Sequence, residues 1–541
     1  MMGADAKKII SIYDKLSTDK GPYNSHLREI SEYLLAIKFL YDQYVEGGKR
    51  HSLIYDGTAI IAHRVFANGL YGNLSPQSVP WFMLSTKDKS LAENAHVKFW
   101  LADTTERMRG AINASNAPLA LQQVYRSLGW AGTAVMCVEE GSRYAINCQT
   151  FSIGQCCIME DADGVVDSVY RLEKFTARQC VQKWGDKVSA KISKAYKDGK
   201  ENDLFDVIHA VYPRNDYDWR KLGADNMPWA SVYLERDTAN ILSESGYREF
   251  SFACPRWEKD DGETYGRSPG MDALPDGKML NQMCYDNMRG LQKMIDPPLF
   301  APSEAALSTT RTAPGVVIYH KSGQKPEPLQ SGGRFDWALQ VEDQRRQAIR
   351  DAFYNDLFLL LAQAENKQMT AYEVRQLVEE KLSILGPALG RLQTELFDPF
   401  LSRVFWIMYR AGGLLPVPQE LVGAGLSIEY VGRLALAMKY QETQATGQVI
   451  SFVSQLAGAR PEVLDNFDVD EIAQGTAMRA GMPVKYLVAP DVRDKIREER
   501  LRRQQAEQQD AALLAAAGQL PNLSKAPEKG SLADELIRAA R

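Results

Sequence analysis

The sequence predicts an α+β protein that is mainly helical, and three observations carry that prediction. Apolar residues recur at three-to-four spacing through most of the first 130 residues and again beyond Ser268. Between Gly132 and about Phe252 the period changes to alternating or β-branched runs separated by turn residues. From Lys367 to Gly413 a single long helical rod reads with both a start and a stop.

In chain order, KKIISIYDKL and HLREISEYLLAIKFLYDQYV are helical by spacing. IYDGTAIIAHRVFANGLYGNL continues the pattern until SPQSVP ends it. TAVMCVEE, YAINCQTFSI and VVDSVYRLEKF then read as strands, with DADG at Asp161–Gly164 as a hairpin turn. DVIHAVYPR, WASVYLER and REFSFACPRW read as further strands. After EKDDGETYGRSPG a helix runs through DALPDGKMLNQMCYDNMRGLQKMID and stops at Pro297 and Pro298. A Pro-, Gly-, Ser- and Thr-rich stretch follows to about Asp336, with one strand in GVVIYHK. ALQVEDQRRQAIRDAFYNDLFLLL is then a second helix, and AQAENKQM a polar break.

The rod begins with Thr370 and Glu373, the spacing of a capping box, in which each side chain satisfies a free N–H of the first turn. Ala371, Val374, Leu377, Val378, Leu382, Leu385, Leu389, Leu392, Leu396, Phe400 and Val404 form its apolar stripe. Pro387 and Pro399 predict kinks, and Gly412 with Gly413 the stop. About 40 residues give roughly 60 Å, longer than one small core requires. Beyond it LSIEYVGRLALAMKY reads as strand then helix, with helices in QVISFVSQLA and VDEIAQGTAMRAGMP. DVRDKIREERLRRQQAEQQDAALLAAAGQ is helical by propensity, and residues 521–541 form a tail.

The chain has 541 residues, 45% hydrophobic and 25% charged, the balance of a protein with real cores. Lys plus Arg number 64 against 69 Asp plus Glu, a net charge of −5, which argues against a generic nucleic-acid-coating protein. The N-terminal residues lack a long apolar signal region, and no run of about 18 apolar residues predicts a membrane span. Seven cysteines without a CxxC pair predict reduced, mostly buried thiols.

Catalytic motifs fail on inspection. GRSPG at Gly266–Gly270 matches the G-x-S-x-G elbow, but the oxyanion N–H would have to come from Pro269, which has none. A turn into the following helix is the better account. DADGVVD lacks the third acidic ligand and the late Glu of a calcium loop. There is no GxxxxGK[ST] loop and no HExxH, and the six histidines lack metal-ligand spacing. The run RDKIREERLRR at Arg493–Arg503 reads first as a solvated helix face, with contact to nucleic acid or a partner as the alternative. No cofactor is implied, and a machine part fits better than an enzyme.

The order of these pieces resembles the portal, or head-to-tail connector, proteins of short-tailed bacteriophages (podoviruses). IYDGTAIIAHRVFANGLYGNLSPQSVPWFML, GWAGTAVMCVEE, VIHAVYPR, ETYGRSPGMDALPDGKMLNQM, IDPPLF and LSIEYVGRLALAMKY carry the resemblance, over roughly Tyr13 to Pro490. It implies a ring of many copies, usually twelve, at the unique capsid vertex of a virion assembled in the host cytoplasm. Double-stranded DNA would pass through its channel during packaging and ejection, independent of sequence. Implied partners are the terminase large subunit, the major capsid and scaffolding proteins, and tail adaptor or tail tube proteins.

The implied architecture is a wing over 1–267, a first stem helix over 268–296, a clip over 297–337 and a second stem helix over 338–361. A tunnel loop over 362–369, a wing-crossing helix over 370–425, a crown over 426–490 and a C-terminal helix with tail over 491–541 complete it. Channel candidates are Lys278 and Lys293 on the first stem and Gln363, Glu365, Asn366, Lys367 and Gln368 in the tunnel loop. Phe300, Lys321, Lys325, Arg334 and Trp337 are candidates for docking at the clip. A non-portal structural or scaffold virion protein and an unrecognised DNA-processing enzyme are the alternative classes.

Overall fold

The computed structural model describes residues 5–37, 48, 53–88, 91, 94–218, 220, 223–295, 299–300, 327–328, 335–363, 385–421, 423, 425–430 and 490–518. The chain divides into two units. One comprises Met1–Asp88 with Trp100–Gln444, and the other Lys89–Phe99 with Ala445–Arg541.

The larger unit opens with α1 (Ala6–Asp19), whose N-cap Asp5 accepts from the N–H groups of Lys7 and Lys8. Next comes α2 (Gly21–Ile30), extended by a π turn over Ser31–Leu35 that stops at Ala36 with φ 53°. Then α3 (Thr58–Leu74) leads to strand β1 (Phe82–Thr86), α4 (Ala95–Ala114) and α5 (Ala117–Ala131). Eight strands follow: β2 (Val135–Glu140), β3 (Ile146–Phe151), β4 (Cys156–Glu160), β5 (Val166–Thr176), β6 (Leu204–Pro213), β7 (Trp229–Glu235), β8 (Ile241–Tyr247) and β9 (Phe252–Ala253).

Strands β4 to β8 form a five-stranded antiparallel meander in sequence order, and β3-β2-β9 a second sheet. Side chains alternate between the faces of the meander. One face packs Ile9 and Tyr13 of α1 against Tyr170, Ile208, Ala210, Val232 and Leu234. The other packs Cys180, Trp184 and Ile192 against Val207 and Leu242. The DADG turn is as expected: Gly164 has φ 77°, and Asp161 Oδ1 accepts the N–H groups of Asp163 and Val165 at 2.9 Å. Six of the seven cysteines are buried and all are free, with burial pushing the Cys137, Cys148 and Cys156 thiols up to about 12.

Several expectations change in detail. REFSFACPRW forms only the two-residue β9, because the chain from Arg256 leaves the sheet as a strap held by the Glu258–Arg267 bridge. Strand β8 and two short helices, α6 (Ala177–Trp184) and α7 (Ala190–Lys197), were not anticipated. The expected single helix over 338–361 is two helices, α9 (Phe335–Ala352) and α10 (Asn355–Gln363). They are separated by Tyr354 at φ 54°. The break lets Phe353, Tyr354 and Phe358 all ring Phe66 of α3, at centroid distances of 6.3, 6.5 and 6.1 Å. Gly69 makes room, since a Cβ there would stand 2.3 Å from Phe358 Cγ. Aromatic burial overrides local helix propensity.

Between Ala352 and Asn355 lies that break, and earlier in the chain lies α8 (Pro269–Ile295). The rod is described from residue 385. It is helical over 385–410, with a π turn at Gln393–Phe397 followed by α11 (Asp398–Arg410). It stops as expected: Gly412 has φ 68°, and Gly413 N–H bonds to Met408 O at 2.9 Å. The Thr370–Glu373 cap lies outside the described residues. Strand β12 (Leu426–Tyr430) returns to pair with β1, and two-residue strands β10 (Leu299–Phe300) and β11 (Glu327–Pro328) pair with each other. Among the described residues no helix is long and apolar enough to cross a membrane. In the smaller unit the helix Pro490–Gly518 is exposed at Lys495–Gln509.

The meander contains an acid-sensitive cluster. His209 is buried, accepts from Arg171 Nε on Nδ1 at 2.8 Å, contacts Ser231 Oγ at 2.9 Å through Nε2, and stacks on Tyr233 at 4.0 Å. Burial, then the charges of Arg171 and Lys183, hold its pKa well below the ordinary value. Burial likewise lowers His63 to about 4. Both are neutral when folded but take up protons when unfolded below about pH 6.5, so stability falls as pH drops through that value. Each pH unit below it costs up to about 1.4 kcal/mol per histidine. Thermal melts from pH 7 to 5 are expected to show a declining midpoint in the parent protein and a shallower decline in His209→Gln.

Candidate functional site: an antiparallel helix pair and its root

The pair is α8 and α9. Its start is the GRSPG turn. Ser268 is buried, its Oγ donating to Trp130 O at 3.0 Å and accepting from Met271 N–H at 3.0 Å, and Pro269 is the first helical residue. The hydroxyl is therefore a helix cap. Backbones meet closely just before it. Gly132 has φ 70°, and a Cβ on it would lie 2.4 Å from Gly266 O. Gly266 N–H donates to Thr133 Oγ1 at 2.8 Å.

Polar side chains hold the two helices antiparallel. Arg345 Nη1 donates to Asp276 Oδ1 at 2.8 Å near the root, and Asn287 Nδ2 to Glu342 Oε1 at 2.5 Å one stage further along. Arg346 sits among Asp56, Asp343 and Glu342 at 2.9, 2.7 and 2.9 Å. Burial opposes its charge, but these carboxylates outweigh burial and raise its pKa above the ordinary value. Asn281 staples the loop before α3 and the π turn after α2 to α8: its Oδ1 accepts from Tyr55 N–H at 2.9 Å, and its Nδ2 donates to Tyr33 O at 2.7 Å. Beyond these contacts the pair turns apolar toward solvent. Met288, Leu291, Met294 and Ile295 of α8 are exposed, as are Trp337 and Leu339 of α9. The exposed apolar residues at this end thus lie on both helices.

Below the root, Arg256 is only 2% exposed and faces two carboxylates. Its Nη2 donates to Glu395 Oε1 at 2.6 Å and to Gly164 O at 3.0 Å; its Nε donates to Glu395 Oε2 at 3.1 Å. Its own backbone N–H donates to Glu395 Oε2 at 2.8 Å. Nη1 pairs with Glu160, which also takes Lys259 Nζ at 2.6 Å. Buried charge stays ionised only when compensated in this way.

The predicted site residues fall as follows. Lys278, on α8, is ion-paired with Glu29 and lies 5.2 Å from the centroid of the Tyr33 ring. Lys293 is in the last turn of α8, Gln363 ends α10, and Phe300 pairs with Glu327 across β10–β11. Trp337 stands in the first turn of α9 and is 70% exposed. Glu365, Asn366, Lys367, Gln368, Lys321, Lys325 and Arg334 lie outside the described residues. Sequence reasoning missed Arg256, Glu395 and Asn281, whose partners are remote in the chain, and Arg346, which adds the remote Asp56 to its helical neighbours Glu342 and Asp343. Among the described residues no group of three or more His, Cys, Asp or Glu could hold a metal ion.

The helix pair is rooted in a sheet-and-helix body, and the polar groups named above hold its helices to each other and to that body. The family model described as "Bacteriophage head to tail connecting protein" matches residues 6–488, and the chain belongs to that family. A "Probable portal protein" of Bordetella phage BPP-1 is 36% identical over 519 residues, covering 94% of this chain and 93% of the relative. A "Portal protein" of Salmonella phage epsilon15 is 32% identical over 536 residues, covering 97% and 96%. A chain from the virion of a native gene transfer agent particle covers 73% of this chain and 85% of its own length. It does so at a TM-score of 0.31 and 10% identity, which carries no argument about fold. The function is that of a phage portal, a structural component linking head to tail.

Proposed function

We propose that twelve copies close into a ring at one vertex of the capsid and that double-stranded DNA passes through its axis during packaging and ejection. In this reading 1–267 form the wing, 268–296 and 338–361 the two stem helices, 297–337 the clip, 362–369 a loop facing the tunnel, 370–425 a helix crossing the wing and 426–490 the crown. The terminase large subunit and later the tail adaptor proteins dock at the clip, through residues that include Phe300, Lys321, Lys325, Arg334 and Trp337. The major capsid and scaffolding proteins surround the wing.

The observation that carries this reading is the near full-length match to head-to-tail connectors, with portal-named relatives covering 94% and 97% of the chain. The exposed apolar end of the helix pair supports it, because a neighbouring copy would cover it. The charge supports it too. Duplex DNA is a dense line of negative charge, and many Lys or Arg contacts would hold it fast. A chain of net charge −5 with isolated basic residues suits passage better than grip.

Channel contact is assigned to Lys278, Lys293 and Lys367, with Gln363 at the end of α10 and Glu365, Asn366 and Gln368 beside Lys367 in the sequence. Lys278 would have to exchange its Glu29 partner for phosphate. Lys367→Glu is expected to leave ring assembly intact while reducing the yield or length of packaged genome. Genome length and yield equal to the parent would remove Lys367 from the mechanism.

A further inference from the structure

A basic patch stands on the face of the meander opposite α1. Helices α6 and α7 pack on that face through Cys180, Trp184 and Ile192. Residues 177–200, which span both helices, hold seven Lys or Arg against two Asp, within a chain of net charge −5. Each of these basic residues is exposed. Lys191 Nζ pairs with Asp237 at 2.7 Å, and Lys183 Nζ lies 4.3 and 4.9 Å from the ring centroids of Tyr233 and Trp184. Lys187, Lys194, Lys197 and Lys200 have no ion-pair partner among the described residues.

Local folding does not account for the patch. Lys194 and Lys197 lie in the last turn of α7, where the helix dipole favours a cation. Lys187 precedes that helix and Lys191 stands in its first turn, where the same dipole disfavours one.

The chemistry of the patch selects its partner. All but Arg178 of its basic residues are lysines, compact point charges that hold phosphate without the bidentate fit that ties arginine to one geometry. Protein–protein interfaces are depleted in lysine and built around an apolar core. Here the exposed large apolar side chains are Tyr196 and, just beyond the segment, Leu204. Helix α7 is about 12 Å long, so charges before, on and after it span several phosphates of a duplex, about 3.4 Å apart along each strand.

We propose that the α6–α7 face is a second contact for double-stranded DNA, independent of sequence and separate from the channel candidates Lys278 and Lys293 on α8. The proposal rests on the portal reading only for the presence of duplex DNA beside the protein. Four lysines without carboxylate partners are free to displace counterions from the phosphate backbone, so binding here depends steeply on salt.

Binding of covalently closed circular duplex DNA to the purified protein, measured across a salt series, tests this. A closed circle cannot be threaded through a ring already formed, so its retention reports an outer surface. The parent is expected to bind at about 0.05 M salt. The triple variant Lys187→Gln, Lys194→Gln, Lys197→Gln is expected to make the plot of log affinity against log salt shallower by about 2–3. Its affinity at about 0.1 M salt is expected to fall at least about tenfold. Lys7→Gln, Lys8→Gln, Lys15→Gln removes the same charge from exposed positions on α1 and is expected to leave both quantities unchanged. Equal losses in the two triple variants overturn the proposal, since they report net charge alone. No retention of the circle by the parent overturns it as well. Retention of poly-glutamate without retention of duplex assigns the face to an acidic polypeptide and also overturns it. A parent protein that forms no ring sinks the portal reading, while the same comparison on single subunits still decides the role of this face.

Discussion

Replacing Arg256 with methionine is expected to lower the stability of the subunit by about 3–5 kcal/mol, the cost of leaving a buried charge uncompensated. Methionine fills much of the volume but none of the charge. Glu160 would keep Lys259 at 2.6 Å, whereas Glu395 would keep only the backbone N–H of residue 256 at 2.8 Å. The loss therefore falls mainly on the contact between the strap and the long helix. Urea unfolding followed by tryptophan fluorescence measures it, as a lower midpoint at unchanged slope. A loss below about 1 kcal/mol would mean that the carboxylates find water or other donors, contrary to the burial described. Arg256→Lys is expected to recover only part of the loss, because one ammonium cannot span two carboxylates and the carbonyls of Gly164 and Thr264.

Gly132→Ala is expected to cost at least about 3 kcal/mol and to abolish soluble expression at 37 °C. Two effects add. The φ of 70° lies in the left-handed region, where a Cβ costs about 1–2 kcal/mol. That Cβ would also stand 2.4 Å from Gly266 O and 2.5 Å from Arg267 C, both main-chain atoms that cannot rotate away. Relief requires moving the strap, which breaks the Trp257–Gly132 hydrogen bond and displaces the Ser268 cap. Gly72→Ala is the control: it lies in α3 with nothing within 4 Å of its Cβ position, and is expected to be neutral or mildly stabilising. Equal soluble yields for the two variants would contradict the close approach at Gly132.

How much was legible follows from where the determining contacts lie. Helices such as Thr58–Leu74 and Pro269–Ile295 carry their apolar period within one stretch, and the Gly412–Gly413 stop and the Asp161–Gly164 turn carry their own backbone chemistry. These read directly. Pro399 predicted a kink, and the structure resolves it as a π turn. The break at Tyr354 has no local signal, because what turns the chain there is Phe66, nearly three hundred positions earlier. Helix Ala177–Trp184 did carry a signal, a capping box between Thr176 and Gln179, that went unread. Strand Ile241–Tyr247 alternates small and polar residues at a sheet edge and so resembles a loop. Arg256 could not be found at all: its partners stand 96 and 139 positions away. The functional class came from the joint order of motifs and not from any one site, since the work of a conduit is distributed over a surface.

Cryo-electron microscopy of the purified, assembled protein tests the central claim most directly. The account predicts a closed ring of subunits around an axial bore that admits a DNA duplex, with residues 269–295 and 335–352 of every subunit bordering that bore. A single subunit at all concentrations, or a closed assembly in which those two helices are buried away from any opening, would contradict it.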